Sequence, residues 1–136
     1  MSRVGIRAQI SSAEAQIEEC SRKIDRLQRE VTELTRIRPA VNRVAEETGE
    51  LAHELNVKMG LQERWEGDRR KKYDERSVEE LLKPYDNYKK EVEEIQEEIS
   101  EAVRKKKEEI RECRADIVSL RSRIAFLHEE LARQEY

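Results

Sequence analysis

Apolar residues in the first part of the chain recur at alternating intervals of four and three positions. The series is Ile6, Ile10, Ala13, Ile17, Cys20, Ile24, Leu27, Val31 and Leu34. This heptad spacing puts one apolar stripe along a helix and is typical of coiled coils. After a phase slip at residues 34–37 the stripe continues through Ile37, Val41, Val44, Thr48, Leu51 and Leu55. The pattern predicts one long helical arm.

The second half of the chain carries a stripe that mirrors the first. It comprises Val78, Leu82, Tyr85, Tyr88, Val92, Ile95, Ile99, Val103, Lys106, Ile110, Cys113, Ile117, Leu120, Ile124, Leu127 and Leu131. Opposing positions pair about a centre near residue 66, so that Cys20 meets Cys113 and Leu27 meets Lys106. Two antiparallel helices produce this symmetry, because each step up one arm is a step down the other. We predict an all-α fold, a long antiparallel two-helix hairpin resembling a coiled coil.

The centre of the mirror coincides with the segment that carries turn chemistry. Gly67 suits a tight turn, and Asp68 is a good helix N-cap. The turn is therefore expected near Trp65–Gly67. A helix starting at Asp68 would hold four basic residues in its first turn, where the helix dipole disfavours them. A capping-box pattern at residues 77–80 indicates that the second regular helix starts there instead. We predict a single helical hairpin domain over residues 1–136, with a first arm over 3–58, an irregular tip over 59–76 and a second arm over 77–134.

Prolines in both arms suggest an alternative fold. Pro39 lies in the first arm and Pro84 in the second, where each is expected to kink or interrupt a helix. The alternative is a compact bundle of three or four shorter helices. We favour the hairpin, because the mirror pairing continues across both prolines.

The composition fits solvated helices and argues against several functions. Charged residues make up 43% of the chain and aromatic residues 4%, and 28 basic residues face 31 acidic ones. This mixture gives no general attraction to nucleic acid. Acidic residues flank both basic runs of the chain, which are Arg69–Lys72 and Arg104–Lys107. No stretch reaches the roughly 18 apolar residues of a membrane span. The N-terminal residues lack the apolar core of an ordinary secretory signal.

The sequence offers no catalytic site, metal site or cofactor site. His53 and His128 fall in opposite regions of the hairpin, and no nucleophile accompanies either of them. Cys20 and Cys113 face each other at d positions without the further ligands of a metal site. They are either two small buried apolar side chains or partners in an interhelical disulfide. We expect a protein that is not an enzyme.

The apolar stripe widens toward the predicted tip. A single partner helix cannot cover this width, and excess apolar surface marks an association site. A larger helical protein, a second small helical hairpin or a second copy of the chain is expected to dock there. The predicted partner-binding residues are Val44, Leu51, Leu55, Met59, Leu61, Trp65, Tyr73 and Leu81.

The tripeptide Trp65-Glu66-Gly67, Tyr73 and the heptad arms resemble the WXG helical hairpins of Gram-positive type VII secretion. The chain is most similar to the small YwqH-like partners of LXG toxins. This resemblance implies a non-enzymatic accessory protein that binds the helical N-terminal region of an LXG-type toxin and supports its export. Such a protein is cytoplasmic before export and then secreted or at the cell surface, without a cleaved signal peptide. Export would also bring Cys20 and Cys113 into conditions that permit a disulfide.

In that family an aromatic residue followed by an acidic one, on the C-terminal side of the hairpin, forms an export signal. Phe126 and Glu130 fit this arrangement, with Phe and Glu in place of the commoner Tyr and Asp. The heptad places Phe126 at an outward c position, although an isolated exposed Phe is also ordinary. Two other functions stay open: a cytosolic coiled-coil scaffold or adaptor that is not exported, and a nucleic-acid-associated coiled coil.

Overall fold

The protein consists of two long α-helices. The computed structural model describes the backbone of residues 2–66 and 68–134, and the side chains of residues 2–55, 57, 80 and 83–134. Helix α1 spans Arg3–Glu66 and helix α2 spans Asp68–Gln134. No strand occurs in these described ranges. The two helices pack against each other as an all-α helical hairpin, which confirms the predicted fold class.

The helix ends differ from the predicted arms. Helix α1 continues to Glu66 and helix α2 begins at Asp68, so the irregular tip predicted over residues 59–76 is wrong. Apart from its glycines, this segment consists largely of Leu, Gln, Glu, Arg and Lys, which propagate a helix readily. Trp65 lies in the last turn of α1, and Gly67 lies outside the described residues.

Both helices continue past their prolines. Pro39 lies inside α1 and Pro84 lies inside α2, so neither arm is interrupted. Proline removes one backbone hydrogen bond and crowds the preceding turn. In helices of 64 and 67 residues, many other turns and interhelical contacts hold the structure on either side of that defect. The alternative bundle of three or four shorter helices is therefore excluded.

Ser2 caps the start of α1. Its Oγ accepts a hydrogen bond from the Gly5 amide at 3.1 Å, and its carbonyl accepts one from the Ile6 amide at 3.0 Å. A serine at the N-cap satisfies backbone donors that have no partner within the helix.

The chain divides into two compact units. Unit 1 comprises Met1–Glu33 with Ala102–Tyr136, and unit 2 comprises Leu34–Glu101. In unit 1 the a and d positions of the heptad, numbered so that Cys20 and Cys113 are d, form a closed seam. All the predicted stripe positions of this unit are buried or half-buried. One cluster contains Ile24, Leu27, Ile110, Cys113 and Ile117, and a second contains Ile6, Ile10 and Leu127.

Unit 2 keeps the same heptad numbering without the predicted phase slip. On α1, the a and d positions are buried or half-buried: Leu34, Arg38, Val41, Ala45, Thr48, Ala52 and Leu55. On α2, the inward positions include Val92, Gln96 and Ile99. Thr48 is buried at 5% exposure, and its hydroxyl donates to the Val44 carbonyl at 2.7 Å. The seam of unit 2 is thus built partly from polar and small residues.

Candidate protein-binding surface

Five of the large apolar side chains that the structure describes in unit 2 lie at the edge of its seam. These residues, called the apolar row below, are Ile37, Val44 and Leu51 on α1 and Tyr88 and Ile95 on α2. Each occupies a g position, and their exposed fractions range from 38% for Val44 to 51% for Leu51. The prediction that they belong to the core stripe is wrong. The helices keep the unbroken heptad, which turns a and d inward and leaves g at the edge.

Hydrogen bonds fix which edge of unit 2 carries the apolar row. Arg38 donates through Nη2 to Ser100 Oγ at 3.2 Å, and Gln96 donates through Nε2 to Asn42 Oδ1 at 2.7 Å. Asn42 and Ser100 are e positions, so the e edges of the two antiparallel helices meet on one side. The g edges must then meet on the opposite side. Both halves of the apolar row therefore lie on the same face of unit 2.

An exposed apolar row of this kind is suited to binding another protein. A single exposed apolar side chain is ordinary, whereas a contiguous apolar patch marks an association surface. Residues seven apart on each helix are stacked one above the other, so the row runs lengthwise between the two helices. A third helix can lie along such a groove with its own apolar stripe facing inward.

The predicted partner-binding residues are distributed between this row and its surroundings. Val44 and Leu51 lie in the apolar row, and Leu55 is half-buried in the seam. The side chains of Met59, Leu61, Trp65, Tyr73 and Leu81 lie outside the described residues.

Sequence reasoning did not assign Ile37, Tyr88 or Ile95 to a binding surface. The hydrophobicity pattern placed all three in the core, because it followed the most apolar residues through a phase slip. An unbroken heptad was the signal that could have found them. It places Arg38, Ala45 and Gln96 inward and leaves the three apolar residues at the g edge.

Lys106 is a charged residue at a half-buried core position in unit 1, and it has a partner. Its side chain is 29% exposed, and its Nζ lies 2.6 Å from Glu30 Oε2 on the facing helix. The aliphatic stem lies at the seam while the ammonium reaches the edge. The hydrogen bond from Lys106 lowers the pKa of the Glu30 carboxyl below its ordinary value.

Cys20 and Cys113 lie together in unit 1. Cys113 is buried in the core cluster against which the half-buried Cys20 packs, and both thiols are free. They line an open surface pocket of about 430 Å³ that also includes Asp116 and Lys23. Burial raises the pKa of the Cys20 thiol, and the neighbouring Cys113 raises it further. The predicted facing arrangement is present, and the disulfide stays a prediction.

The two residues of the predicted export motif lie near the end of α2. Phe126 is exposed, with 58% of its surface accessible, and Glu130 is half-buried. They are four positions apart, so they are neighbours on successive turns of the helix. This arrangement makes the Phe126 ring available to a binding protein.

Within the part of the chain that the structure describes, no three His, Cys, Asp or Glu side chains are grouped as a metal site would need. None of the described helical segments is long and apolar enough to cross a membrane. His53 lies in unit 2 and His128 in unit 1, and both are exposed.

Comparison of the chain with protein-family models, curated proteins and solved structures found no match. The resemblance to the WXG hairpins therefore rests on Trp65, Gly67, Tyr73 and the two helical arms alone.

Proposed function

We propose that the protein is a non-enzymatic helical partner, which binds a helix of a larger protein along the apolar row of unit 2. The single observation that carries this proposal is the exposure of five g-position apolar residues on one face. Covering this face would remove apolar surface from water, which stabilises the complex. A partner that binds only the folded hairpin would also stabilise the hairpin by mass action.

The resemblance to WXG hairpins supplies the more specific form of the proposal. The larger protein is then an LXG-type toxin, and the row binds its helical N-terminal region. The complex is exported by type VII secretion, with Phe126 and Glu130 forming the element that the secretion machine recognises. This form is supported by the exposure of the Phe126 ring beside Glu130, and by the Trp65-Glu66-Gly67 tripeptide in the sequence.

Affinity capture from the native host tests the proposal. The tagged chain is recovered from cells and from culture medium, and its partners are identified by mass spectrometry. We expect a large protein with a helical N-terminal region in both fractions. The double variant Val44→Ser and Leu51→Ser should lose this partner, because it places two hydroxyls in the apolar row.

A matched control separates loss of the row from loss of any exposed apolar side chain. Val118 is 63% exposed and lies outside the row. The variant Val118→Ser should therefore retain the partner. Recovery that is unchanged by the Val44 and Leu51 substitutions would contradict the proposal.

The export step is tested separately with Phe126→Ala. We expect this variant to retain the partner in cells while both proteins disappear from the medium, because Phe126 lies in unit 1 and outside the row. If Phe126→Ala leaves the amount in the medium unchanged, the residue is an ordinary exposed side chain. If the wild-type chain is confined to cells, the scaffold or adaptor function is correct instead.

A further inference from the structure

Glutamates border the apolar row on both helices. Glu47 follows Val44 by three residues and precedes Leu51 by four, so it lies directly beside the row on α1. Glu91 has the same relation to Tyr88 and Ile95 on α2. Glu47 and Glu91 are both exposed. Glu54 and Glu98 continue the pattern one heptad further along each helix, where both are also exposed.

The charged residues at the next outward positions of this face leave its border acidic. On α2 the next residue outward is Glu94, which adds to the acidic border. On α1 the outward positions carry Glu50 together with Arg36 and Arg43. The residues named here are six glutamates and two arginines, so the border is acidic although the chain as a whole is nearly balanced.

This charge pattern selects between the occupants of the row. A second copy docked on the same face would bring glutamate borders against each other, and like charges across an interface oppose association. A helix with lysines and arginines beside its apolar stripe would instead place opposite charges along both borders. The pattern also disfavours a partner helix with an acidic border.

We propose that the apolar row binds an amphipathic helix whose apolar stripe is flanked by lysine and arginine. This inference rests on the proposed function and adds the chemical class of the partner helix. The apolar row supplies most of the affinity, and the acidic border supplies the selectivity and the orientation.

Two synthetic peptides test this inference on the full chain. Both carry the same leucine heptads over about three heptads, with lysine at the flanking positions of one and glutamate at those of the other. Binding is measured by fluorescence anisotropy. At low ionic strength we expect the lysine-flanked peptide to bind about tenfold more tightly, because several exposed ion pairs each contribute a small factor. The preference should shrink as salt is raised to about 0.5 M.

Charge reversal of the border provides the decisive variant. With Glu47→Lys, Glu91→Lys and Glu98→Lys combined, the chain should prefer the glutamate-flanked peptide. These positions are exposed, so the substitutions are compatible with the fold. Helix content by circular dichroism verifies this.

A control variant carries the same change in net charge in unit 1. It combines Glu14→Lys, Glu18→Lys and Glu112→Lys, which also lie at exposed positions. This variant should keep the wild-type preference for the lysine-flanked peptide. A preference that reverses in both triple variants would reflect net charge alone and would overturn the inference.

Three further results would overturn it. They are equal binding of the two peptides, binding that Leu51→Ser does not weaken, and self-association of the chain that Leu51→Ser abolishes in sedimentation experiments. Different results would overturn this inference and the proposed function. Capture of a native partner through Val44 and Leu51, with no effect of border reversal, would contradict only the charge selectivity. Failure to capture any helical partner would contradict the proposed function, whatever the peptides do.

Discussion

Units 1 and 2 share one heptad numbering and differ in the residues at the g edge. In unit 1 this edge is polar: Gln9 Oε1 accepts a hydrogen bond from Arg123 at 3.4 Å, and Glu30 pairs with Lys106. In unit 2 the equivalent positions on α1 are Ile37, Val44 and Leu51. Unit 1 thus buries the apolar residues of its seam between two helices, whereas unit 2 leaves an apolar row uncovered. The difference indicates that unit 1 provides stability to the isolated chain and unit 2 provides the surface for a partner.

The prediction with the largest expected effect compares a leucine-to-alanine substitution in each of the two units. Leu27 is 2% exposed in the seam of unit 1, and Leu51 is 51% exposed in unit 2. Leu27→Ala should lower the free energy of unfolding by roughly 2–4 kcal/mol, because it leaves a cavity. Leu51→Ala should change it by less than about 0.5 kcal/mol. Urea denaturation followed by circular dichroism measures both, and equal losses would contradict the division.

The ranking of the two substitutions should change when binding of the partner is measured in place of stability. Leu51→Ala should weaken the complex, since Leu51 would then be buried, while Leu27→Ala should act on the hairpin alone. A binding titration at a temperature where both variants are folded distinguishes the two effects.

The second prediction concerns the thiols of unit 1. Oxidation of Cys20 and Cys113 to an interhelical disulfide should stabilise the chain by roughly 2–4 kcal/mol, because the bond closes a long loop and restricts the unfolded state. The thiols pass two electrons and two protons to a disulfide oxidant such as oxidised glutathione. Because burial raises the pKa of Cys20, we expect oxidation to be slow at neutral pH and faster at higher pH.

Peptide mapping under non-reducing conditions identifies the bond. Cys113→Ser serves as the control, since it leaves one thiol and permits only intermolecular disulfides. Two thiols that persist in the wild-type chain after prolonged exposure to oxidised glutathione would show that the helices do not allow disulfide geometry.

The fold was predictable from sequence because unit 1 is simple. Its a and d positions carry most of the large apolar residues, so hydrophobicity alone identifies the seam. In unit 2 the inward a positions are Arg38, Ala45 and Ala52, while the most apolar residues lie at g. Hydrophobicity followed the g residues and required a phase slip, which would locally unwind or overwind the helix pair. The continuous helices avoid that distortion, and the cost is an exposed apolar row.

The export motif and the disulfide could be placed by sequence but not tested by it. The heptad gives the outward position of Phe126 and the facing positions of Cys20 and Cys113. Their roles depend on a receptor and on a redox environment, which the local sequence does not determine.

The third prediction uses Gly49, which lies within α1 in unit 2. A Cβ atom built at this position meets nothing within 4 Å. Gly49→Ala should therefore stabilise the chain by about 1 kcal/mol, because alanine lowers the entropy of the unfolded chain and favours helix. Thermal denaturation measures the change. A loss of stability would show that unit 2 requires the flexibility of this glycine.

Gly5 in unit 1 serves as a comparison for Gly49. A Cβ there would lie 3.2 Å from Ser2 Oγ, so the capping side chain must shift. We expect Gly5→Ala to give a smaller gain than Gly49→Ala, because helix propensity matters less near a terminus that frays.

The smallest expected effect tests the polar edge of unit 1 through Glu30. Its folded pKa lies below the ordinary value of 4.5, because Lys106 donates a hydrogen bond to the carboxylate. A lowered pKa contributes stability that is present above the unfolded pKa and is lost as the pH falls through the folded pKa. Glu30→Gln should therefore be slightly less stable than the wild type at pH 7, and the difference should vanish in acid below the carboxyl range. In a Lys106→Gln background, Glu30→Gln should have almost no effect at pH 7, because the pair is already broken. An effect of Glu30→Gln that is the same in both backgrounds would mean that Glu30 does not act through Lys106. The polar edge would then affect stability only through its contact with water.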